Sequence, residues 1–242
     1  MIKNALLRIR SVLFIVLFTF WTLVPPVLVI WSILLPKRAL LRFIQGWQSG
    51  AMFLARVIVG IRYEVKGWEN VPEGACIIAA KHQSAYETCL LHILFKNPAI
   101  VLKKELTRIP IWGWYAQASG LIPVDRKGGA KSLKIMKKAC DDAVSAGRKI
   151  VIFPQGTRVP PGVKKPYKVG VVALYQDLQL PIVPVALNSG LFWPKGEWIK
   201  KPGTVTVQFL TPIPPGLTRS QMMKRLEAIT EEASDHLAGV TR

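Results

Sequence analysis

Residues 11–35 carry no charged side chain. A run of 25 uncharged residues dominated by Leu, Val, Ile, Phe and Trp is long enough to cross the hydrocarbon of a bilayer. A basic start (Lys3, Arg8, Arg10) also fits a secretory signal, but no small-residue cleavage site follows, so the segment is expected to be retained. Pro25-Pro26 removes helical backbone donors and biases the preceding residue away from helical geometry. The expectation is two short helices rather than one rod, and a hairpin dipping into one leaflet competes with a kinked full span. Lys37, Arg38 and Arg42 follow the run, so both flanks are basic and the positive-inside bias gives little preference. Symmetric flanks suit a hairpin with both ends on the cytoplasmic face.

No acidic residue precedes Glu64, whereas eight basic ones do, and the 242-residue chain holds 33 Lys+Arg against 14 Asp+Glu, a net charge of +19. Such charge implies an anionic partner, either nucleic acid or a negatively charged membrane surface. No zinc, RNP or clear helix-turn-helix signature accompanies it, and the uncharged run opposes nucleic acid, so anionic membrane lipids are the expected partner. Leu40, Leu41, Ile44, Trp47, Phe53, Leu54, Val57 and Ile58 recur at roughly helical spacing. A helix over 39–59 fits two placements equally, along the membrane interface or packed on the domain that follows. Cys76, Cys89 and Cys140 show neither CxxC nor zinc-ligand spacing, which argues against a disulfide framework or a metal site and for a reducing, cytosol-facing catalytic part.

After Gly60 the pattern changes to short β-rich runs at 61–65, 75–80, 99–102, 121–124, 149–153, 182–187 and 204–209, separated by helical stretches. This predicts a single mixed-sheet α/β domain over residues 61–242 with helices around it, preceded by a hydrophobic anchor and interfacial helix over 1–60. Leu133, Met136, Cys140 and Val144 place one apolar stripe on a helix ending near Gly147, and a last helix is expected over about 220–237. A Pro/Gly/Lys-rich loop covers 159–168.

The stretch richest in chemistry is Lys81-His82-Gln83-Ser84-Ala85-Tyr86-Glu87, where an apolar strand ends and a helical pattern begins. Strand ends of α/β sheets are where sites are built. In a continuous helix, residues five apart point about 140° away from each other, so His82 and Glu87 meet only if His82 precedes the helix. The carboxylate could then fix the imidazole tautomer and leave the other nitrogen as a base. Equally, Ser84-x-x-Glu87 is a capping box, in which Glu87 merely accepts from the Ser84 backbone N–H.

Four blocks in order make the sequence resemble the glycerolipid acyltransferases of the 1-acyl-sn-glycerol-3-phosphate (lysophosphatidic acid) acyltransferase family. His82 to Glu87 is similar to the family's H-x-x-x-x-D, with Glu for the usual Asp. Gly120-Leu121-Ile122-Pro123-Val124-Asp125-Arg126 resembles G-x-x-x-[IV]-[DE]-R. Phe153-Pro154-Gln155-Gly156-Thr157-Arg158 resembles F-P-E-G-T-R, with Gln for the usual Glu. Leu180-Pro181-Ile182-Val183-Pro184 is similar to the terminal P-[IV]-[IV]-P strand.

The resemblance covers about residues 61–215 and implies transfer of a fatty acyl group from an acyl thioester, on acyl carrier protein or coenzyme A, to the sn-2 hydroxyl of lysophosphatidate. His82 is then the general base and Glu87 its orienting partner. No acyl-enzyme is implied, and no cofactor or metal beyond the thioester co-substrate. Arg126 and Arg158 would hold the acceptor's phosphate, since a guanidinium fork matches phosphate oxygens. Gly156 and Thr157 would bring backbone amides to it, Lys104 would add a cation, and Asp125 would orient Arg126 from behind. Gln155 would hydrogen-bond the acceptor's free hydroxyl, which opens another lyso-lipid (a lyso-ornithine lipid or a lysophospholipid) as the acceptor. A fold that has lost turnover through Glu87 and Gln155, a silent membrane scaffold, is the third reading. The aromatic groups Trp112, Trp114, Tyr115 and Phe192, Trp193, Trp198 fit either an interfacial ring at an acyl channel or ordinary core packing.

Overall fold

The computed structural model describes residues 2–240; Met1 and the side chain of Lys3, part of the basic start, lie outside the described set. All seven expected strands form: β1 (Ile61–Lys66), β2 (Ile77–Ala80), β3 (Ala99–Lys103), β4 (Ile122–Val124), β5 (Ile150–Ile152), β6 (Ile182–Leu187) and β7 (Gly203–Phe209). They make one sheet in the order β1-β7-β6-β2-β5-β3-β4. The run from β6 to β4 is parallel, β7 is antiparallel to β6, and β1 returns parallel to β7. A parallel sheet needs helices on both faces, and β2, β5 and β6 are buried along their whole length.

Strand alternation sorts the core into two halves. Ile78 and Ala80 point into the layer that holds α3 (Tyr86–Phe95) and the N-terminal helices, whereas Ile77 and Ala79 point into the layer of α5 (Gly129–Ser145), α6 (Val169–Leu178) and α7 (Arg219–Leu237). A short α4 (Trp112–Ala118) precedes β4. The C-terminal ends of the parallel strands therefore share one edge of the sheet.

The expected break at Pro25-Pro26 does not occur. A single helix α1 (Ile2–Leu28) runs through both prolines, a tight turn follows, and α2 (Lys37–Leu54) returns antiparallel, extended by one wide turn over Ala55–Val59. Pro25 has no N–H for the Trp21 carbonyl, and that carbonyl is taken instead by the Trp47 indole N–H at 3.0 Å, while the Trp21 indole donates to the Trp47 carbonyl at 2.8 Å. Gly50 leaves room for this pairing, because a methyl there would sit 2.2 Å from Trp21 Cζ2. Past the prolines, the buried Tyr115 hydroxyl lies 2.9 Å from the Val29 carbonyl, 2.9 Å from Ser32 Oγ and 3.2 Å from the Pro26 carbonyl. The carbonyl that Pro25 frees and two carbonyls at the helix end are thus paired, which supports the helix through this stretch.

One face of α1 is docked. Phe14 is buried in the core with Trp193 edge-on at 4.9 Å, Arg10 Nε donates to the Ile58 carbonyl at 2.5 Å, and Ser11 Oγ accepts from Lys200 N at 2.9 Å. The opposite face, Ile9, Leu13, Val16, Phe20, Leu23 and Val27, is exposed. Asn4–Leu28 is, among the described residues, the one helical stretch long and apolar enough to cross a membrane. Over 39–59, Leu40 and Ile44 are buried in a cluster with Tyr115 of α4, Met52 and Ala55 lie in the core layer of α1 and α3, and Phe53 and Val57 are exposed.

Candidate active site

His82 lies just beyond β2 and ahead of α3, so the condition for a His82–Glu87 meeting is satisfied. Its Nδ1 is 2.8 Å from Glu87 Oε1. That same oxygen accepts from the backbone N–H groups of Gln83 and Ser84, each at 2.7 Å, and Ser189 Oγ donates to Glu87 Oε2 at 2.7 Å. One oxygen therefore makes both the contact to the imidazole and the contact to the Ser84 backbone N–H. The capping half is modified, since Ser84 Oγ accepts from Tyr86 N at 3.1 Å. A fully buried carboxylate with four donors is well satisfied. Acting as acceptor toward His82, it fixes the proton on Nδ1 and leaves the Nε2 lone pair available as a base.

The imidazole is held on its other sides too. It stacks on Phe153 with centroids 4.1 Å apart, the His82 carbonyl accepts from Val159 N at 2.7 Å, and the side chain keeps 18% of its surface exposed. No cysteine competes as a nucleophile. Burial pushes the thiols of Cys76 up to about 11 and of Cys140 up to about 12, and burial followed by the Glu87 charge pushes Cys89 up to about 12. All three are protonated at neutral pH.

The basic residues come from three neighbouring strand ends, Lys104 after β3, Arg126 after β4, and Arg158 and Lys168 after β5. Arg126 follows β4 and is exposed, yet its guanidinium reaches back to the turn after β5: a methyl on Gly156 would sit 3.6 Å from Arg126 Cζ and 3.5 Å from Lys168 Cγ. Gly156 has φ +68°, and its N–H donates to the Phe153 carbonyl at 2.9 Å. Its contribution is thus a left-handed turn that lies within van der Waals reach of the Arg126 guanidinium and the Lys168 stem. Thr157 is half-buried and Arg158 exposed, the latter springing from the residue before the Val159 tether to His82.

Two expected contacts are rearranged. Asp125 does not orient Arg126: its Oδ1 accepts from Lys127 N at 2.9 Å, and its Oδ2 lies 3.8 Å from Lys104 Nζ, so Lys104 is partly committed to an exposed ion pair. Gln155 is the larger departure. It is 1% exposed and both ends of its amide face protein, with Oε1 accepting from His82 N at 3.4 Å and Nε2 donating to Glu231 Oε1 at 3.4 Å. An amide bound on both ends is not turned toward an acceptor hydroxyl.

Several residues of this region escaped the sequence reading. Ser189 supports Glu87, Gly190 N donates to Gln83 Oε1 at 2.9 Å, Lys168 joins Arg126, and Glu231 of α7 pairs with Lys81 at 2.5 Å. Lys81 did leave a signal. It continues the Ile77, Ala79 alternation into the α5–α7 layer, so a buried lysine there demands a carboxylate. Of the aromatic groups, Tyr115 and Trp193 are core, while Trp114 and Trp198 are exposed.

Among known proteins, residues 62–188 match the family model described as Acyltransferase. The chain is 43% identical over 175 residues to the 1-acyl-sn-glycerol-3-phosphate acyltransferase of Pseudomonas aeruginosa, covering 72% of this chain and 68% of that protein. It is 28% identical over 199 residues to the Saccharomyces cerevisiae protein of the same name, covering 79% and 65%. The matched stretch thus spans about two thirds of each relative. In fold it is similar to the crystal structure of the 1-acyl-sn-glycerophosphate acyltransferase PlsC from Thermotoga maritima, with TM-score 0.75 at 22% identity over 98% of this chain and 96% of that one. The chain therefore belongs to the acyltransferase family that includes the 1-acyl-sn-glycerol-3-phosphate acyltransferases.

Proposed function

We propose that the protein moves a fatty acyl group from an acyl thioester, on acyl carrier protein or coenzyme A, to the sn-2 hydroxyl of 1-acyl-glycerol-3-phosphate, making phosphatidic acid. The observation that carries this reading is the 2.8 Å contact of His82 Nδ1 with a buried Glu87. With Nδ1–H held by the carboxylate, Nε2 takes the proton of the sn-2 hydroxyl as that oxygen attacks the thioester carbonyl. The tetrahedral intermediate collapses, the C–S bond breaks, and the imidazolium returns its proton to the departing sulfur. Glu87 stabilises the imidazolium between the two steps. Arg126 and Arg158, with Lys104 and Lys168 nearby in charge, hold the acceptor's phosphate around the Gly156-Thr157 turn.

The exposed stripe of α1 supports a membrane-bound enzyme. Ser11 and Phe14 contact Lys200 and Trp193 of the catalytic domain, which favours a hairpin seated in one leaflet over a full span. The surrounding Arg8, Arg38, Arg42 and Arg56 are exposed and suit anionic headgroups.

Purified protein in mixed micelles, offered lysophosphatidate, lyso-ornithine lipid and lysophosphatidylcholine with acyl-coenzyme A or acyl carrier protein, tests the assignment. Transfer is expected to lysophosphatidate above the other acceptors. Transfer only to another lyso-lipid would correct the acceptor, and transfer to none would favour a silent scaffold.

A further inference from the structure

Lys81 and His82 are neighbours that leave β2 toward opposite layers. Lys81 is fully buried, and its Nζ lies 2.5 Å from Glu231 Oε2. The other oxygen, Glu231 Oε1, accepts from Tyr167 Oη at 3.0 Å and from Gln155 Nε2 at 3.4 Å. Burial, and next the Glu231 charge, hold the Tyr167 phenol well above its ordinary range, so it stays a donor. Glu231 itself is 3% exposed and sits on α7, on the far side of the sheet end from Glu87.

We propose that Gln155 and Glu231 form a matched positioning pair that holds the backbone of His82 in register for catalysis, so that residue 155 must be an amide because residue 231 is a carboxylate. The proposal rests on the acyl-transfer reading above. The chemistry of the two ends of residue 155 carries it. Toward His82 an acceptor is needed, because the group there is a backbone N–H; toward Glu231 a donor is needed, because the group there is a carboxylate oxygen that already accepts from Tyr167 while its twin faces Lys81. Between the amide and the ionised carboxylate of the same length, the amide supplies both and the carboxylate only accepts. A carboxylate at 155 would face Glu231 acceptor to acceptor, with the ion pair of Lys81 already made to the other oxygen of Glu231. The identity of residue 155 is thus set by α7 and not by the acceptor.

The test is a charge-exchange cycle of Gln155→Glu, Glu231→Gln and the double variant, with kcat and KM for lysophosphatidate and melting temperature measured in the full-length protein. Gln155→Glu is expected to lower kcat at least about tenfold with KM changed less than about threefold, and the double variant to regain at least about tenfold in kcat over it. Gln155→Met fills the same space without charge or either hydrogen bond, and should lower kcat with KM kept even where Gln155→Glu fails to fold. The pair is overturned by a double variant no better than the worse single one, by wild-type kcat in Gln155→Met, or by changes confined to KM or to acceptor preference. The function reading fails separately, if wild type shows no His82-dependent transfer. The melting temperatures then judge the coupling alone, a non-additive cycle supporting the pair and an additive one overturning it.

Discussion

Glu87 Oε1 meets three N–H groups, one on the imidazole and two on the backbone of the loop that carries it. Orienting the base and capping the helix are therefore one geometry. The sequence could not choose between them because spacing constrains direction, not the number of donors a carboxylate oxygen takes. Glu87→Gln keeps an acceptor for the backbone and a polar end for Ser189 but removes the charge behind the imidazolium. It should cost roughly 10²-fold or more in kcat with a melting temperature close to wild type; full turnover would reduce Glu87 to a cap. At Gly156, φ is +68° and Arg126 lies close by, so Gly156→Ala should destabilise by about 1–2 kcal/mol from the left-handed backbone. It should also raise KM for lysophosphatidate, as steady-state kinetics beside chemical denaturation would show. The motif residues were legible because they fall in ordered blocks. Glu231 was not, since any of 14 acidic residues could have answered the buried Lys81.

At the scale of elements, two helices behave differently from their sequence signals. The prolines of α1 predicted a break, and local rules alone support that. What opposes them comes from 26 residues beyond Trp21, where Trp47 supplies the Trp21 carbonyl with the donor that Pro25 lacks. Trp47→Phe should keep the packing yet leave the Trp21 carbonyl unpaired, lowering stability by about 1–3 kcal/mol in denaturant titrations; an unchanged midpoint would mean that another donor replaces it. In α3, burial holds His92 below its ordinary value of 6.5, with Nδ1 3.0 Å from the Thr88 carbonyl. The unfolded chain takes up a proton below about pH 6.5 that the native state resists, so stability falls as pH drops from there toward the native value. His92→Gln should flatten that acid limb by up to about 1.4 kcal/mol per pH unit, read from denaturation midpoints between pH 7 and pH 5.

For the whole molecule, the sheet does the assembling. β2, β5 and β4 end on one edge, so the loop holding His82, the turn at Gly156 and the arm of Arg126 converge although 74 residues separate His82 from Gly156. Seven strands were legible as short β-rich runs, whereas their order was not, because parallel neighbours far apart in sequence leave no local trace. The exposed face of α1 gives the assembly a direction. Replacing Leu13 and Phe20 with Asp should cut binding to anionic vesicles by more than about a hundredfold, from the apolar burial lost at the two sites, while leaving turnover in detergent near wild type. Vesicle co-sedimentation that does not change would place the anchor elsewhere.

His82, aligned by Glu87, is the base we propose for acyl transfer to lysophosphatidate. The most direct test is kcat/KM of His82→Ala against wild type on that acceptor, with melting temperature as the check on folding. A loss of at least about a hundredfold is expected in a folded variant. Transfer within about tenfold of wild type would contradict it.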